Sequence, residues 1–407
     1  MKKVFYIIPI SIRRLIVRSI ENVAFRFTKN VGNPSLLTPQ RRRDDKKNIL
    51  IYHASALSFG GTEKNLQMIA KYLNKGKFNV FLMDGTKTQE TRLSYLAHTQ
   101  VEIIPFTYSH VAPRWPYVLH DMNPLLEKVV QEKNIDCIIT ATPGQTTYPL
   151  TNIRDIPIII LNIFGSFSLQ KNIKKHICIS HEVKKLAARV VPEELLDVQY
   201  IPSERPLLEP VRAQLIRTKF GIKEHELVFG RIGRSDDSIF DPIGILAFEI
   251  ALQAKPNIHY IIMSPAPAAK KLVEERRIRN VHWLDASFKE EDVWAFHEAI
   301  DVLAHFRADG ESCGLNIIES MLVGNPILTH KSNIWNAHLE YLDPEFSLVA
   351  EKDDYKQYGE NIIEYTKLHQ LGLLKDTGAL AKEKAEKIFL IENVMPKYER
   401  IIHEAMK

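Results

Sequence analysis

Cysteines and long apolar runs are scarce in this sequence, and their scarcity narrows the class of protein. Its 407 residues include three cysteines, Cys137, Cys178 and Cys313. Because they are scattered and odd in number, they argue against a disulfide framework and fit a reducing compartment. No apolar stretch reaches the roughly 18 residues that a membrane-spanning helix needs. The cysteines and histidines show no metal-ligand spacing either, so the sequence predicts no metal site.

Positive charge is concentrated at one end of the chain. The formal net charge is +5, yet residues 1–47 contain twelve Lys or Arg against three Asp or Glu. That segment therefore carries +9, which leaves the remainder near −4. A nucleic-acid-binding enzyme usually spreads basic residues over its working face, whereas here they lie in one terminal arm. We therefore predict no nucleic-acid partner.

The N-terminal arm, residues 1–30, mixes apolar and basic side chains. From Ser11 onward the spacing permits an amphipathic helix with an arginine-rich face, which is typical of a helix lying in an anionic membrane interface. A helix packed on the body of the protein is an equally good interpretation. A cleaved signal peptide is disfavoured, because Arg13 and Arg14 end the apolar stretch and no small-residue cleavage site follows. We expect a cytoplasmic protein that, if this arm binds lipid, is peripheral at the inner face of the membrane.

The rest of the chain alternates short apolar strands with helical patterns. This alternation predicts parallel sheets with helices on both faces, and the length suggests more than one domain. A proline-flanked polar segment, residues 201–206, is typical of a hinge between domains. The expected divisions are an arm and linker (1–46), a first domain (47–203), a second domain (204–385) and closing helical segments (386–407). In such sheets, ligands bind outside the carboxyl ends of the strands.

One strand–loop–helix segment, residues 301–329, carries the most informative pattern. Its loop contains Glu311 and Gly314, and its helix carries Glu319. The free amides at a helix start favour an anion, because four N–H groups are unpaired and the helix dipole is positive there. Two carboxylates flanking that anion site suit a ligand with hydroxyls at both ends and phosphates in the middle, such as a nucleotide sugar. From the pattern alone, solvated glutamates in an ordinary α/β turn remain the commoner alternative.

Two glycine-rich segments also follow predicted strands. Gly60 and Gly61 open a strongly periodic helix, and a ligand can approach such a backbone closely, although a Gly pair is more often only a turn. Gly230, Arg231 and Arg234 follow the first strand of the second domain. Arginine binds phosphate through a fork of donors, so this segment suits a diphosphate. The alternative is that an arginine pairs with the nearby carboxylates of residues 236, 237 and 241.

The 301–329 segment resembles the Glu–seven residues–Glu signature of retaining GT-B glycosyltransferases, notably glycosyltransferase family 4. The matching positions are Glu311, Gly314, Leu315, Ile318, Glu319, Met321, Gly324 and Pro326. Ser312 and Cys313 depart from the family, which more often has Gly and an aromatic there, and this leaves the donor sugar open. The segments at Gly60–Gly61 and Gly230–Arg231 are similar to the family's first glycine loop and to the opening of its second domain.

The resemblance implies two doubly wound, Rossmann-like parallel-sheet domains facing a cleft. It also implies retaining, metal-independent and cofactor-free transfer from a nucleoside-diphosphate sugar to a glycan or lipid-linked acceptor in cell-surface polysaccharide synthesis. Glu311 would hold donor-sugar hydroxyls, and Glu319 would accept hydrogen bonds from the ribose. Arg231 and Arg234 would stabilise the departing diphosphate. The remaining donor-binding positions are Gly60, Gly61, Gly230, Gly314 and Leu315.

Two departures from the family keep other functions open. Many members have a histidine after the strand ending near Thr140, where this chain has Thr142-Pro143-Gly144. The family's lysine after the Gly-Arg pair is also missing from residues 238–242. These absences favour a catalytically impaired binding or scaffold protein as the alternative. A nucleotide-sugar epimerase is a further alternative, although no convincing acid–base set is visible.

Overall fold

The computed structural model describes residues 8–28, 45–53, 60–85, 94–106, 125–142, 150–287 and 289–407. It divides the chain into two compact units, Met1–Pro202 with Ile391–Lys407 and Ser203–Leu390. The last helix of the chain therefore belongs to the first unit. Predictions made on residues 1–7, 29–44 and 54–59, and on Pro143 and Gly144, lie outside the described residues.

A parallel sheet forms the centre of the first unit, with seven strands among the described residues, in the order β3-β2-β1-β4-β5-β6-β7. Strand β1 is apolar and almost wholly buried, and β5 is buried throughout, as expected for strands covered on both faces. The strands are β1 Lys47–Tyr52, β2 Phe78–Gly85, β3 Val101–Phe106, β4 Cys137–Thr142, β5 Ile158–Asn162, β6 Ile173–Cys178 and β7 Leu196–Val198.

The described helices of the first unit include one near its N-terminus that packs on the body of the unit. Glu21 of this helix is buried, where it accepts the backbone N–H of Leu169 at 2.9 Å and the hydroxyl of Ser168. Arg14 donates to the carbonyl oxygen of Val190 at 2.8 Å. The α-helices are Ile10–Thr28, Gly61–Tyr72, Leu125–Glu132, His181–Ala187 and Ile391–Ala405, and the 3-10 turns are Leu150–Asn152 and Glu193–Leu195.

The second unit has a parallel sheet that reverses direction at its middle. Among the described residues its order is β10-β9-β8-β11-β13-β15, so the chain builds outward from β8 on one side and then from β11 on the other. Such a reversal opens a crevice outside the carboxyl ends of the two central strands. The strands are β8 Leu227–Ile232, β9 Ile258–Met263, β10 Val281–Leu284, β11 Val302–Ala304, β13 Ile327–His330 and β15 Ser347–Ala350, with a small parallel pair, β12 Gly310–Glu311 and β14 Trp335–Asn336.

Aromatic residues fill the core beneath that crevice. Phe229, Phe248 and Phe306 are fully or almost fully buried in one cluster. Two buried tyrosines of the same cluster fix the end of β11, since Tyr260 donates to Ala304 O at 2.7 Å and Tyr358 donates to the next carbonyl at 3.0 Å. The α-helices of this unit are Pro210–Lys219, Ile243–Ala254, Pro267–Arg276, Glu290–Ala299, Leu315–Val323, Tyr355–Gln370 and Leu374–Phe389, and the 3-10 turns are Asp237–Ile239 and Ala337–Glu340.

Two parallel-sheet α/β units with interleaved helices confirm the predicted fold class. In the part of the chain that the structure describes, no helix is both long enough and apolar enough to span a bilayer. Within the same residues, no three His, Cys, Asp or Glu side chains converge in a way that could hold a metal ion.

Candidate functional site

The loop that follows β11 is shaped by a glycine that cannot be replaced. Gly310 has φ of +68°, and a Cβ there would lie 1.8 Å from the carbonyl oxygen of Trp335. This close approach is what allows β12 to pair with β14. The pairing holds the next residue, Glu311, at the carboxyl edge of the central strands.

A second glycine starts the helix Leu315–Val323 without a side-chain cap. Gly314 has φ of +86°, a left-handed conformation that favours glycine. Within the described residues, the backbone N–H groups of Leu315 and Asn316 have no acceptor. The Asn316 side chain donates to Ile232 O at 2.9 Å, which ties the helix start to the end of β8. Two amide donors at the positive end of the helix are thereby held beside the crevice.

Glu311 is held by one of its oxygens and keeps the other available. Its Oε1 lies 3.1 Å from His305 Nε2 and 3.6 Å from Arg307 Nη1. Its Oε2 has no partner among the described residues, and 15% of the side chain is exposed. Burial raises the pKa of Glu311, but the hydrogen bond from His305 and the positive charge of Arg307 lower it by more, so the net pKa lies below its ordinary value. Glu311 is therefore a carboxylate at neutral pH.

His305 connects Glu311 to a chain of buried polar groups. Its Nδ1 lies 3.3 Å from Thr329 Oγ1, and that oxygen lies 3.4 Å from His338 Nε2. Burial lowers the pKa of His338 to about 3, so this imidazole is neutral at pH 7. His305 directly follows β11, Thr329 lies in β13 and His338 lies in the 3-10 turn Ala337–Glu340, and the fold brings these three segments together.

Arg231 is a buried cation near the end of β8. The residue is 4% exposed, yet its Nε has no acceptor among the described residues and no described carboxylate forms an ion pair with it. Its Cζ stacks 4.9 Å from the ring centre of Phe306. Burial lowers the pKa of Arg231 below its ordinary value, and Tyr260 and Glu311 compensate only in part. An unpaired buried charge is costly, so this position favours an incoming anion.

Gly230, Arg234 and Glu319, the other predicted site residues of this unit, differ in their exposure. Gly230 lies inside β8, where a Cβ would approach Ile300 Cγ2 to 2.4 Å, so its lack of a side chain serves packing. Arg234 is exposed in the loop after β8. Glu319 is buried in its helix, with Oε2 3.8 Å from His297 Nε2.

The predicted glycines of the first unit stand at a helix start. Gly60 precedes the helix Gly61–Tyr72 in an extended conformation, and a Cβ there would meet the carboxylate of Glu63 at 2.1 Å. At Gly61 a Cβ would meet nothing within 4 Å, so that backbone is open. The structure thus brings Arg231, Glu311, Gly314 and Leu315 to neighbouring strand ends of one unit, while the glycine pair belongs to the other.

Several residues of this site escape sequence reasoning. His305, Thr329 and His338 have no regular spacing, and Asn316 resembles any polar residue of a first helical turn. The one available signal is positional, because His305 and Phe306 directly follow the apolar run of β11 and must therefore lie at the carboxyl edge of the sheet.

Comparisons with known proteins identify the fold. No protein-family model matches the chain, and no curated protein sequence does. Solved structures do match. One is HepE of Anabaena in complex with UDP and glucose, at TM-score 0.66 and 16% identity, covering 88% of this chain and 99% of that one. The chain has the GT-B fold.

Two further GT-B neighbours match over a similar length. A glycosyltransferase of Rickettsia africae has TM-score 0.71 and 14% identity, with 89% of this chain and all of that chain covered. Sucrose-phosphate synthase of Thermosynechococcus elongatus has TM-score 0.66 and 14% identity, with 88% and 98% covered. Because the identities are low, these GT-B neighbours establish the architecture, and the function depends on the site itself.

Proposed function

We propose that this GT-B protein is a retaining glycosyltransferase that takes a sugar from a nucleoside-diphosphate sugar. The observation that carries the proposal is Arg231, a buried cation at the switch point of the second sheet that has no ion-pair partner among the described residues. The free amides of Leu315 and Asn316 lie at the neighbouring helix start. Donors of both kinds fit a diphosphate. The binding of UDP and glucose by HepE, a structural neighbour, supports the same ligand class.

The donor sugar is assigned to Glu311 in this proposal. Its unpartnered Oε2 can accept hydrogen bonds from sugar hydroxyls, while His305 and Arg307 hold Oε1. An ionised carboxylate only accepts hydrogen bonds, which suits a polyol. Glu319 is assigned to the ribose, and Arg234, on the exposed loop after β8, to the outer face of the diphosphate.

The chemistry follows from where charge develops. When the bond between the anomeric carbon and the diphosphate breaks, the leaving oxygen gains negative charge, and preorganised donors stabilise that charge without reorganising. Arg231 and the two amides are such donors, and Glu311 would orient the anomeric carbon. The acceptor oxygen attacks the face from which the diphosphate leaves, and the leaving phosphate takes its proton. No cofactor takes part in this scheme, and activity is expected to persist in a chelator such as EDTA.

The acceptor is proposed to be a glycan or lipid-linked saccharide, in synthesis of a cell-surface polysaccharide by a cytoplasmic enzyme. The helix Ile10–Thr28 supports contact with the inner membrane face. Its buried side docks on the first unit through Glu21 and Arg14, while Ile10, Ile12 and Leu15 are exposed, the last at 65%. Exposed apolar side chains on a strongly basic segment fit an anionic lipid surface.

A panel of radiolabelled UDP, GDP and ADP sugars, incubated with membrane lipid extract, tests the function. Transfer to lipid or glycan with retained anomeric configuration is the expected result. Recovery of free epimer would support the epimerase alternative, and binding without turnover would support the impaired or scaffold protein. Arg231→Met should abolish transfer, whereas the matched surface variant Arg276→Met should behave as wild type.

Vesicle flotation tests the membrane contact separately. The double change Ile12→Asp with Leu15→Asp leaves the Glu21 and Arg14 contacts in place, so it should fold and should lose binding to anionic vesicles. Equal flotation of this variant and the wild type would exclude the helix as the lipid-binding surface.

A further inference from the structure

A chain of polar groups behind Glu311 extends the candidate site into the core. His305, Thr329 and His338 are all buried, and none of them was predicted from the sequence. They link Glu311 to three separate elements of the second unit through contacts of 3.1, 3.3 and 3.4 Å. Buried polar groups without partners are costly, so each of these contacts offsets part of the cost of burying the groups that make it.

The direction of the hydrogen bonds follows from chemistry. An ionised Glu311 can only accept, so His305 Nε2 carries the hydrogen that it donates. In the neutral imidazole, Nδ1 is then an acceptor, and the Thr329 hydroxyl can donate to it. The Thr329 oxygen in turn can accept the Nε2–H of His338. These directions satisfy the three contacts, while His338 Nδ1 is buried without a hydrogen-bond partner among the described residues.

We propose that His305 is a positioning residue for Glu311, and that Thr329 and His338 hold its imidazole in the tautomer that donates to the carboxylate. The proposal rests on the proposed function, in which Glu311 binds the donor sugar. Fixing Oε1 leaves Oε2 in one place, so the sugar meets a preorganised acceptor. His305 itself is buried and need not touch the substrate.

Two substitutions of His305 separate positioning from simple packing. The amide nitrogen of Gln can overlay Nε2 and keep the donor to Glu311, whereas that of Asn overlays Nδ1 and loses it. His305→Asn should lower kcat/KM for sugar transfer roughly 10- to 100-fold, the usual effect of losing one hydrogen bond to a charged group, while His305→Gln should retain most activity. Binding of UDP alone should change little in either variant, because the diphosphate site is separate.

Thr329, the next polar group after His305, allows the same kind of test. Thr329→Val removes the hydroxyl at nearly constant shape. Because the His305 tautomer is then no longer fixed, kcat/KM should fall several-fold. Thr329→Ser keeps a hydroxyl and should have nearly the wild-type kcat/KM. A matched control exists at the edge of the same sheet, where His259 Nε2 lies 3.3 Å from Glu226 Oε2. His259→Asn removes a similar histidine–glutamate contact outside the site and should leave kcat/KM unchanged.

A titration of Glu311 tests the proposal without any substrate. The Glu311 carboxyl signal in glutamate-labelled protein is assigned with Glu311→Gln and followed by carbon-13 NMR against pH. Because the hydrogen bond from His305 lowers the pKa of Glu311, His305→Asn should raise that pKa, and His305→Gln should raise it less. The other ionisable groups around the pair stay the same in all variants; they are Arg231, Asp241, Arg307, Asp309, His330, His338 and Tyr358.

The outcomes are distinguishable from a failure of the proposed function. If the wild type turns over no nucleotide sugar but the titration shifts as described, the transferase assignment is wrong and the positioning role stands. If His305→Asn and His305→Gln match the wild type in both the titration and kcat/KM, His305 does not position Glu311. Equal losses in both variants would also overturn the proposal, since they would indicate packing alone.

Discussion

Two buried arginines of the second unit have opposite surroundings. Arg217 is 9% exposed, and its guanidinium contacts Asp301 at 3.2 Å and the carbonyl oxygens of Glu226 at 2.6 Å and Ala299 at 3.2 Å. Arg231 is 4% exposed and has no acceptor in the described chain. Arg217 is arranged as a structural residue, and we propose that Arg231 is a binding residue whose partner comes from outside.

Hydrogen-bond partners distinguish a structural charge from a candidate binding charge within one domain. A fully partnered buried cation holds segments of chain together, whereas an unpartnered one weakens the fold unless a ligand supplies the counter-charge. The prediction is that stability and binding depend on different arginines.

The largest expected effect is the loss of nucleotide binding in Arg231→Met. Two charge-assisted hydrogen bonds of about 2 kcal/mol each correspond to roughly 1,000-fold weaker binding of a nucleoside diphosphate. Because the unpaired charge is removed, the free energy of unfolding should stay constant or rise. Isothermal titration calorimetry and urea denaturation measure the two quantities. A destabilised variant that still binds would reverse the roles of the two arginines.

Arg217→Met should have the opposite signature. Removing it leaves Asp301 and several carbonyl oxygens without their donor, which should lower the free energy of unfolding by about 3 kcal/mol. The affinity for the diphosphate, measured below the unfolding transition, should remain within about two-fold of the wild type. A selective loss of affinity at wild-type stability would contradict the structural assignment.

Glu311→Gln separates the contribution of the sugar contact from that of the diphosphate contact. The loss of the carboxylate should lower kcat/KM about 100-fold, because hydrogen bonds to a charged acceptor are stronger than those to an amide. Binding of the free nucleoside diphosphate should change little. Glu226→Gln, in the matched histidine–glutamate pair at the sheet edge, should keep full activity in the same assay.

A buried histidine, His338, makes the stability of the fold depend on pH. The folded chain keeps His338 neutral down to a pKa of about 3, whereas the unfolded chain protonates it near 6.5. As pH falls from 7 to 5, the unfolded state therefore binds a proton that the folded state does not, and His338 costs about 2 kcal/mol of stability. Urea denaturation of His338→Gln should show a correspondingly smaller loss, whereas exposed His225→Gln should resemble the wild type.

The sequence predicts the fold well because strands and helices are local. The apolar runs at residues 158–161 and 227–230 lie in β5 and β8, since a strand covered on both faces is continuously apolar. The spacing of Glu311, Gly314 and Gly324 also depends only on neighbouring residues. These positions form the predicted loop, helix start and helix end.

The rest of the site depends on contacts between distant segments. His305 and Thr329 become neighbours only because β11 and β13 pair, and His338 joins them from a later turn. Sequence cannot distinguish Arg217 from Arg231 either, since each lies near acidic residues in the chain. Gly230 is a further example, because only the structure shows that a Cβ there would approach Ile300 Cγ2 to 2.4 Å.

The most direct test is a crystal structure of the protein soaked with a nucleoside diphosphate. We expect phosphate oxygens within hydrogen-bond distance of the Arg231 guanidinium and of the Leu315 and Asn316 amides. Arg217 should still be bound to Asp301. A diphosphate bound elsewhere, with Arg231 paired to a carboxylate of its own chain, would contradict this expectation.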